Sequence, residues 1–301
     1  MRIDSIYGSR LFLSVLGVLM IILCTKSFSF SACAQETGLN FQKLEIRLIN
    51  DQGEKFQPDQ IKTLFKNSGV EFELKTIASY FQHKEGKLNY DQFLSNESIE
   101  TAQEYIKDHK TDLDKAEQEY GVDKKVITAI MLVETRFGKY VGSDSVLGVL
   151  STMAALEDPS IREWFWNQIP KENRISKEEY DIKAPQKAKW AYNELKAFIK
   201  YVQREELDPS LINGSYAGAM GLAQFMPSNI LTLAKDGNQD GHIDLFNHED
   251  AIASIANYLK YYGWKPGITR EKAYAVVYNY NHSQYYVNTI LNISEKLTKS
   301  K

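Results

Sequence analysis

The 301-residue chain is predicted to be mainly α, α+β at most. Apolar residues recur at three- and four-residue spacing through most of residues 41–301. Alternating strand patterns are scarce, and a small sheet is expected only near Asn50 or within residues 165–185. Composition is that of a globular protein, 43% hydrophobic and 25% charged. Acid and base are interspersed at a formal net charge of −3, without the basic footprint of a nucleic-acid binder, so no nucleic-acid partner is expected.

Residues 1–34 stand apart. Arg2 and Arg10 precede an apolar run from Leu11 to Leu23, and "SACAQE" supplies a small-x-small site at Ala32 and Ala34. That is the pattern of a secretory signal peptide cleaved before Gln35. The run is shorter than the ~20 residues of a membrane span. Lipidation of Cys33 is the alternative that would anchor the protein to a membrane. Cleavage at Ala34 would remove both cysteines, Cys24 and Cys33, and move the net charge from −3 to −5, since three basic residues and one acid leave. A thiol-free exported protein must be held by its core or by a metal. The expected destination is the periplasm or cell envelope, and the expected state is a monomer.

After the leader, residues 35–110 form an N-terminal helical region broken by polar stretches such as "NDQGEKFQPDQ" and "HKEGKLNYD". Residues 111–301 form the core. "TDLDKAEQEYGV" is an amphipathic helix. The next helix, ending in "AIMLVETRFG", has Asp123 as N-cap and Gly138 as its stop. Its inward series Ile127, Ile130 and Met131 continues at Glu134, so a carboxylate points inward from near a helix C-terminus. A polar, Pro-containing stretch from Glu157 to Pro185 reads as an insertion of about residues 157–186, followed by a long helix from about Gln186 to Arg204. A glycine-rich loop, an acidic loop and three further helices complete the chain.

Three constellations carry chemistry. The acidic loop "DGNQDGHIDLFNHED" opens on the calcium template, with Asp236, Asn238 and Asp240 as oxygen donors and Gly241 at the sharp turn. His242 falls where a backbone carbonyl ligates. Position twelve is Asn247 and not glutamate, so closure falls to Asp250; otherwise the loop is a solvated turn that caps the next helix. In "GSYAGAMGLAQFMPS" the glycines and alanines permit close approach of another backbone or of a ligand, and Ser215 and Gln224 offer polar groups. The third constellation is aromatic: eight of the 18 tyrosines lie between Tyr258 and Tyr286. Rings with a polar edge suit the faces of pyranose sugars, and three or four of them are expected to touch a ligand.

Taken together, "YGV…ITAIMLVETRFG", "GSYAGAMGLAQFMPS", the acidic loop, "AIASIANYLKYYGW" and "YNYNHSQYY" resemble the lytic murein transglycosylase B family across residues 111–290. The resemblance implies a lysozyme-like helical core with a cleft for peptidoglycan glycan strands and a structural calcium ion, with no organic cofactor. The family's single catalytic acid matches Glu134. Its substrate-binding residues match Ser215, Gln224, Tyr258, Tyr280, Asn281 and Tyr286, and its calcium loop uses an aspartate matching Asp250. A pair of glycan-site arginines is matched only by Gln186-Lys187. The implied reaction cleaves the MurNAc–GlcNAc bond without water and leaves 1,6-anhydro-MurNAc, with Glu134 as sole general acid and base. Apolar surroundings and the negative end of its own helix would favour the protonated form. Arg136 and Lys139, which would oppose that, are expected to face elsewhere. A hydrolytic muramidase would need a second carboxylate, for which Asp144 and Glu157 are candidates. A catalytically silent peptidoglycan-binding or calcium-sensing module is the third alternative.

Overall fold

The computed structural model describes residues 40–67, 69–82 and 89–299. The expected leader, with Cys24 and Cys33, lies outside the described residues. Among them are thirteen α-helices. The first three are α1 (Gln42–Ile49), α2 (Pro58–Asn67) and α3 (Leu74–Gln82). After a 3-10 turn at Tyr90–Leu94 come α4 (Asn96–Asp108), α5 (Lys110–Tyr120) and α6 (Lys124–Thr135). Then follow β1 (Asp144–Ser145), α7 (Val146–Ala155), α8 (Pro159–Gln168), α9 (Lys177–Arg204) and β2 (Asn213–Gly214). The chain ends with α10 (Pro227–Leu233), α11 (His248–Tyr261), α12 (Arg270–Tyr280) and α13 (Gln284–Lys299).

The middle of the fold is α7, "VLGVLSTMAA", all ten of whose residues are buried. A helix apolar on every side has to be surrounded, and α1, α3 and α9 pack on it. Polar threads fasten the N-terminal helices there. The Glu73 amide donates to Thr152 Oγ1 at 2.9 Å, and the Tyr192 hydroxyl donates to Asp51 at 2.9 Å with Lys196 at 3.2 Å. On the other side α6 packs against α13, α4, α5 and α11. No described helix is long and apolar enough to cross a membrane.

Two expectations change. The sheet is two short antiparallel strands, β1 with β2, pairing Asp144 with Gly214, and not near Asn50 or in residues 165–185. The pairing joins segments some seventy residues apart, and two-residue strands leave no alternating pattern to read. The stretch from Glu157 to Pro185 is mostly helix. Asp158 caps α8 through the amides of Ser160 and Ile161, with Pro159 in the first turn. Helix α9 begins at Lys177, capped by Ser176, and runs through Pro185. An interior proline costs about 3 kcal/mol. The apolar stripe Tyr180, Ala184, Ala188, Ala191, Leu195, Phe198 and Val202 is buried without interruption across it, and that burial outweighs the lost hydrogen bond.

Candidate active site

Helix α6 ends abruptly beyond Glu134. Asp123 caps its start by accepting from the Lys125 amide at 2.8 Å. At the other end Arg136, Phe137 and Gly138 all take positive φ, at 48°, 60° and 93°. The turn therefore begins two residues before the glycine expected to stop the helix. A bulky residue at positive φ is strained and needs outside support. Phe137 has it, stacked on Tyr105 at 4.2 Å, and its amide returns to the Met131 carbonyl at 3.1 Å. Arg136 turns away onto Gln92, with its guanidinium over the Phe93 ring at 5.0 Å.

Glu134 is half-buried, on the side of α6 that faces α13. The Tyr286 hydroxyl donates to its Oε1 at 2.6 Å. Tyr286 is 2% exposed, and its ring lies parallel to that of Tyr280, centroids 6.3 Å apart. Tyr258 meets Tyr280 edge-on at 4.9 Å and donates to the Asn279 carbonyl at 2.7 Å. Burial first, and then the nearby Glu134 charge, raises the pKa of both Tyr286 and Tyr280 well above the ordinary phenol value. Burial also raises Tyr258, with Tyr262 adding to it. All three hydroxyls therefore remain protonated donors at neutral pH.

Three consecutive carbonyls of the glycine-rich loop accept side-chain bonds, two of them from the acid's helix and from Tyr280 and one from within the loop. Gly221 accepts from the Gln224 side chain at 2.9 Å, Leu222 from Thr135 at 3.1 Å, and Ala223 from the Tyr280 hydroxyl at 2.5 Å. The helix carrying the acid, through Thr135, and α12, through Tyr280, thus close on one short strip of backbone. Gln224, at φ 48°, also donates to the Val141 carbonyl at 3.1 Å. Both of its amide hydrogens are used inside the protein, so its carbonyl oxygen is what it can present to a ligand. Ser215 Oγ accepts from the amides of Ala217 and Ala219, at 3.3 and 3.1 Å, which leaves its hydroxyl proton to donate. Asn281 ends α12 beside Tyr280 and is half-buried. Sequence reasoning missed Tyr90, whose ring meets Tyr286 edge-on at 6.5 Å, as well as Thr135. Tyr90 lies in a stretch that reads as a polar break, and periodicity carries no signal there.

Gln186 is exposed, and Lys187 lies over Tyr80 and Trp190, 5.3 and 5.6 Å from their ring centres. Asp144 accepts from Thr76 at 3.1 Å, and Glu157 lines a small cavity with Lys43 and Arg47.

In the acidic loop the carboxylates accept from backbone amides. Asp236 accepts from Gln239, Asp240 and Gly241, and Asp240 from His242. Asp250 is 1% exposed and holds Gly237 and Asp244, both at 2.7 Å. Among the described residues no group of three or more His, Cys, Asp or Glu side chains is gathered as a metal site. The expected ligands therefore do not stand as a preformed cage, because these carboxylates are turned onto their own loop. The chemistry of the donors still fits a hard cation: Asp236, Asn238 and Asp240 present only oxygen ligands within one tight turn at Gly241, φ 94°.

A family model described as "Transglycosylase SLT domain" matches residues 49–273. This chain belongs to that family. Membrane-bound lytic murein transglycosylase B of Escherichia coli strain K12 is 32% identical over 175 residues, 58% of this chain and 41% of that relative. The chain thus spans less than half of the relative's length. Soluble lytic transglycosylase SltB1 of Pseudomonas aeruginosa has the same fold, with a TM-score of 0.70 at 24% identity over 86% of this chain and 98% of that one. Escherichia coli lytic transglycosylase Slt35 in complex with calcium gives 0.67 at 21% over 86% and 92%. SltB3 of Pseudomonas aeruginosa in complex with NAG-anhNAM-pentapeptide gives 0.66 at 18% over 90% and 80%. The transglycosylase family expected from the motifs and the mainly α architecture are both borne out.

Proposed function

We propose that the protein is a lytic transglycosylase that cleaves the β-1,4 bond between MurNAc and GlcNAc in peptidoglycan and leaves 1,6-anhydro-MurNAc ends. The observation that carries this reading is the half-buried Glu134 carboxylate, held by Tyr286 at 2.6 Å, with Tyr280 stacked on Tyr286 and Tyr258 edge-on to Tyr280. Protonated Glu134 gives its proton to the glycosidic oxygen as the C1–O bond breaks. The N-acetyl carbonyl of the same MurNAc shares the developing positive charge. Ionised Glu134 then takes the C6 hydroxyl proton as that oxygen bonds to C1, and the enzyme is regenerated without water. The Tyr286 hydroxyl stabilises the carboxylate while it is charged, between the two proton transfers. An intramolecular hydroxyl held beside the reacting carbon has an effective concentration on the order of 10⁵ M or more, which favours ring closure over hydrolysis. Ser215 and the Gln224 carbonyl, with Asn281, orient the glycan, and Tyr258, Tyr280 and Tyr286 wall the reacting sugar.

Calcium belongs to this reading as a structural ion. Asp236, Asn238 and Asp240 would supply side-chain oxygens and His242 its carbonyl, with Asp250 closing the loop. The ion supplies fixed positive charge to an acidic turn. Export through residues 1–34, action in the cell envelope and a monomeric state complete the proposal, with Cys33 deciding between a soluble and a lipid-anchored form.

The test is mass analysis of muropeptides released from purified sacculi, before and after borohydride reduction. Products one water lighter than hydrolysis products, with ends that refuse hydride, are expected. Ends that accept hydride would make the protein a muramidase, and a second catalytic group would then have to exist.

A further inference from the structure

The reaction site uses three of the eight clustered tyrosines. Helix geometry separates another set from them. Along α12, Tyr280 lies about 40° around the helix from Val276 and about 20° from Ala273, and both of those are buried. Tyr278 lies about 200° from Tyr280, and Tyr274 shares its side at i−4. One face of α12 therefore closes the reaction site, and the opposite face carries a second aromatic group into solvent.

That second group is a built surface. The Tyr274 and Tyr278 rings are within 13° of parallel, centroids 6.3 Å apart, and His282 meets Tyr278 edge-on at 5.0 Å. Tyr285, from the start of α13, is 52% exposed and Tyr278 39%. With Asn279 they line an open pocket of about 720 Å³, within the size range of small-ligand sites. Asn279 commits its amide nitrogen to the Ala275 carbonyl at 2.8 Å, which leaves its oxygen to accept from a hydroxyl.

We propose that Tyr274, Tyr278, Tyr285, His282 and Asn279 form a second glycan-binding surface, which holds a peptidoglycan strand outside the reaction cleft. The inference rests on the transglycosylase reading. Flat rings with polar rims and a free amide oxygen match a sugar's C–H face and hydroxyls. The pocket lining contains no Lys, Arg, Asp or Glu, which suits the uncharged sugar faces and not the acidic peptide stems. The surface is coupled to the site through the α12 backbone: the Asn279 carbonyl accepts from Tyr258, and Tyr280 and Asn281 of the cleft follow directly in the chain. An insoluble polymer rewards a second grip, because it raises the effective concentration of strand at the cleft without any new contact to the scissile bond.

The test compares the full chain with its Tyr278→Ala/Tyr285→Ala double variant. Pelleting with purified sacculi is measured in a Glu134→Gln background, which halts turnover. Cleavage is measured in the active proteins on sacculi and on a soluble GlcNAc-MurNAc tetrasaccharide. The double variant should need about tenfold more sacculi for half-maximal pelleting, from two lost stacking contacts. Its kcat and KM on the tetrasaccharide should not change, and Tyr278→Phe/Tyr285→Phe should restore pelleting. Unchanged pelleting, or an equal loss on the tetrasaccharide, would overturn the surface. So would a loss seen only with sacculi that keep their attached proteins, which would assign it to a protein partner. A wild type that releases nothing from sacculi would sink the transglycosylase reading, while pelleting would still report on the surface.

Discussion

The glycine-rich loop and the acidic loop both contain glycines, and their backbones are held in opposite ways. In the first, glycines exist because other backbone arrives. A Cβ on Gly221 would meet Leu245 at 2.5 Å, and one on Gly214 would strike the Ala219 carbonyl at 2.2 Å. In the second the two glycines differ: a Cβ on Gly237 would strike the Glu249 carbonyl at 2.2 Å, whereas one on Gly241 would meet nothing within 4 Å, so that only its φ of 94° calls for glycine. The first loop is held by packing and by side chains donating to its carbonyls. The second is held by carboxylates accepting from its amides. The two are joined where the Leu222 amide donates to the Leu245 carbonyl at 2.8 Å. The acidic loop therefore braces the strip of backbone on which Thr135 and Tyr280 close.

The largest expected effect leaves both loops intact. Glu134→Gln should lose at least ~10²–10⁴-fold in turnover on sacculi, the usual range for a lost general acid. Its melting temperature should stay near wild type. Retention of a tenth of the wild-type rate would remove Glu134 as the acid, whatever the loops do.

Next comes a paired test of the contrast itself. Gly221→Ala should destabilise by about 3 kcal/mol or more, because strain at positive φ adds to overpacking against Leu245. Gly241→Ala should cost about 1–2 kcal/mol, for backbone conformation alone. Denaturant melts of the two variants would erase the distinction if the losses were equal.

Calcium should act on one loop only. At a hundredfold excess over its dissociation constant it should add roughly 2.7 kcal/mol of stability, and Asp240→Ala should remove the gain. Gly221→Ala should keep it. Identical melting curves in calcium and in chelator would leave the loop a solvated turn.

The smallest effect is a control away from both loops. Burial by itself would raise the Asp158 carboxyl, but bonds from Lys43, the Ser160 side chain and the amides of Ser160 and Ile161 override it and hold the pKa well below the ordinary value. The folded state thus binds its proton less readily than the unfolded chain. The contribution of Asp158 is complete above the unfolded pKa near 4, begins to fade below it and is lost as pH falls through the lower folded-state value. Asp158→Asn should flatten the acid side of the stability curve by about 1 kcal/mol or less. An unchanged acid limb would show that the cap does not titrate in this way.

How much was legible depended on what made each residue special. Glu134 stood out because a carboxylate continued an apolar helical series, which is a local fact. Tyr258, Tyr280 and Tyr286 came from the family resemblance, since nothing in their spacing separates them from Tyr274, Tyr278 and Tyr285. Tyr90 gave no signal, because its place beside Tyr286 depends on a contact across nearly two hundred residues. Helix α8 could have been read from Asp158 and Pro159, but the charged residues around them masked the pattern. Pro185 misled because a local rule about proline met a long buried stripe.

By itself the sequence determined that this is a mainly helical protein, which helix ends in a carboxylate, and where the glycine-rich and acidic loops lie. Those follow from periodicity, capping and composition, which act over a few residues. Only the tertiary structure decided that Tyr286 donates to Glu134, that Gln224 spends its amide hydrogens on Val141 and Gly221, and which tyrosines look outward. It also turned the acidic carboxylates onto their own backbone. Each of these depends on which distant element arrives to take a hydrogen bond, and burial in three dimensions settles that choice.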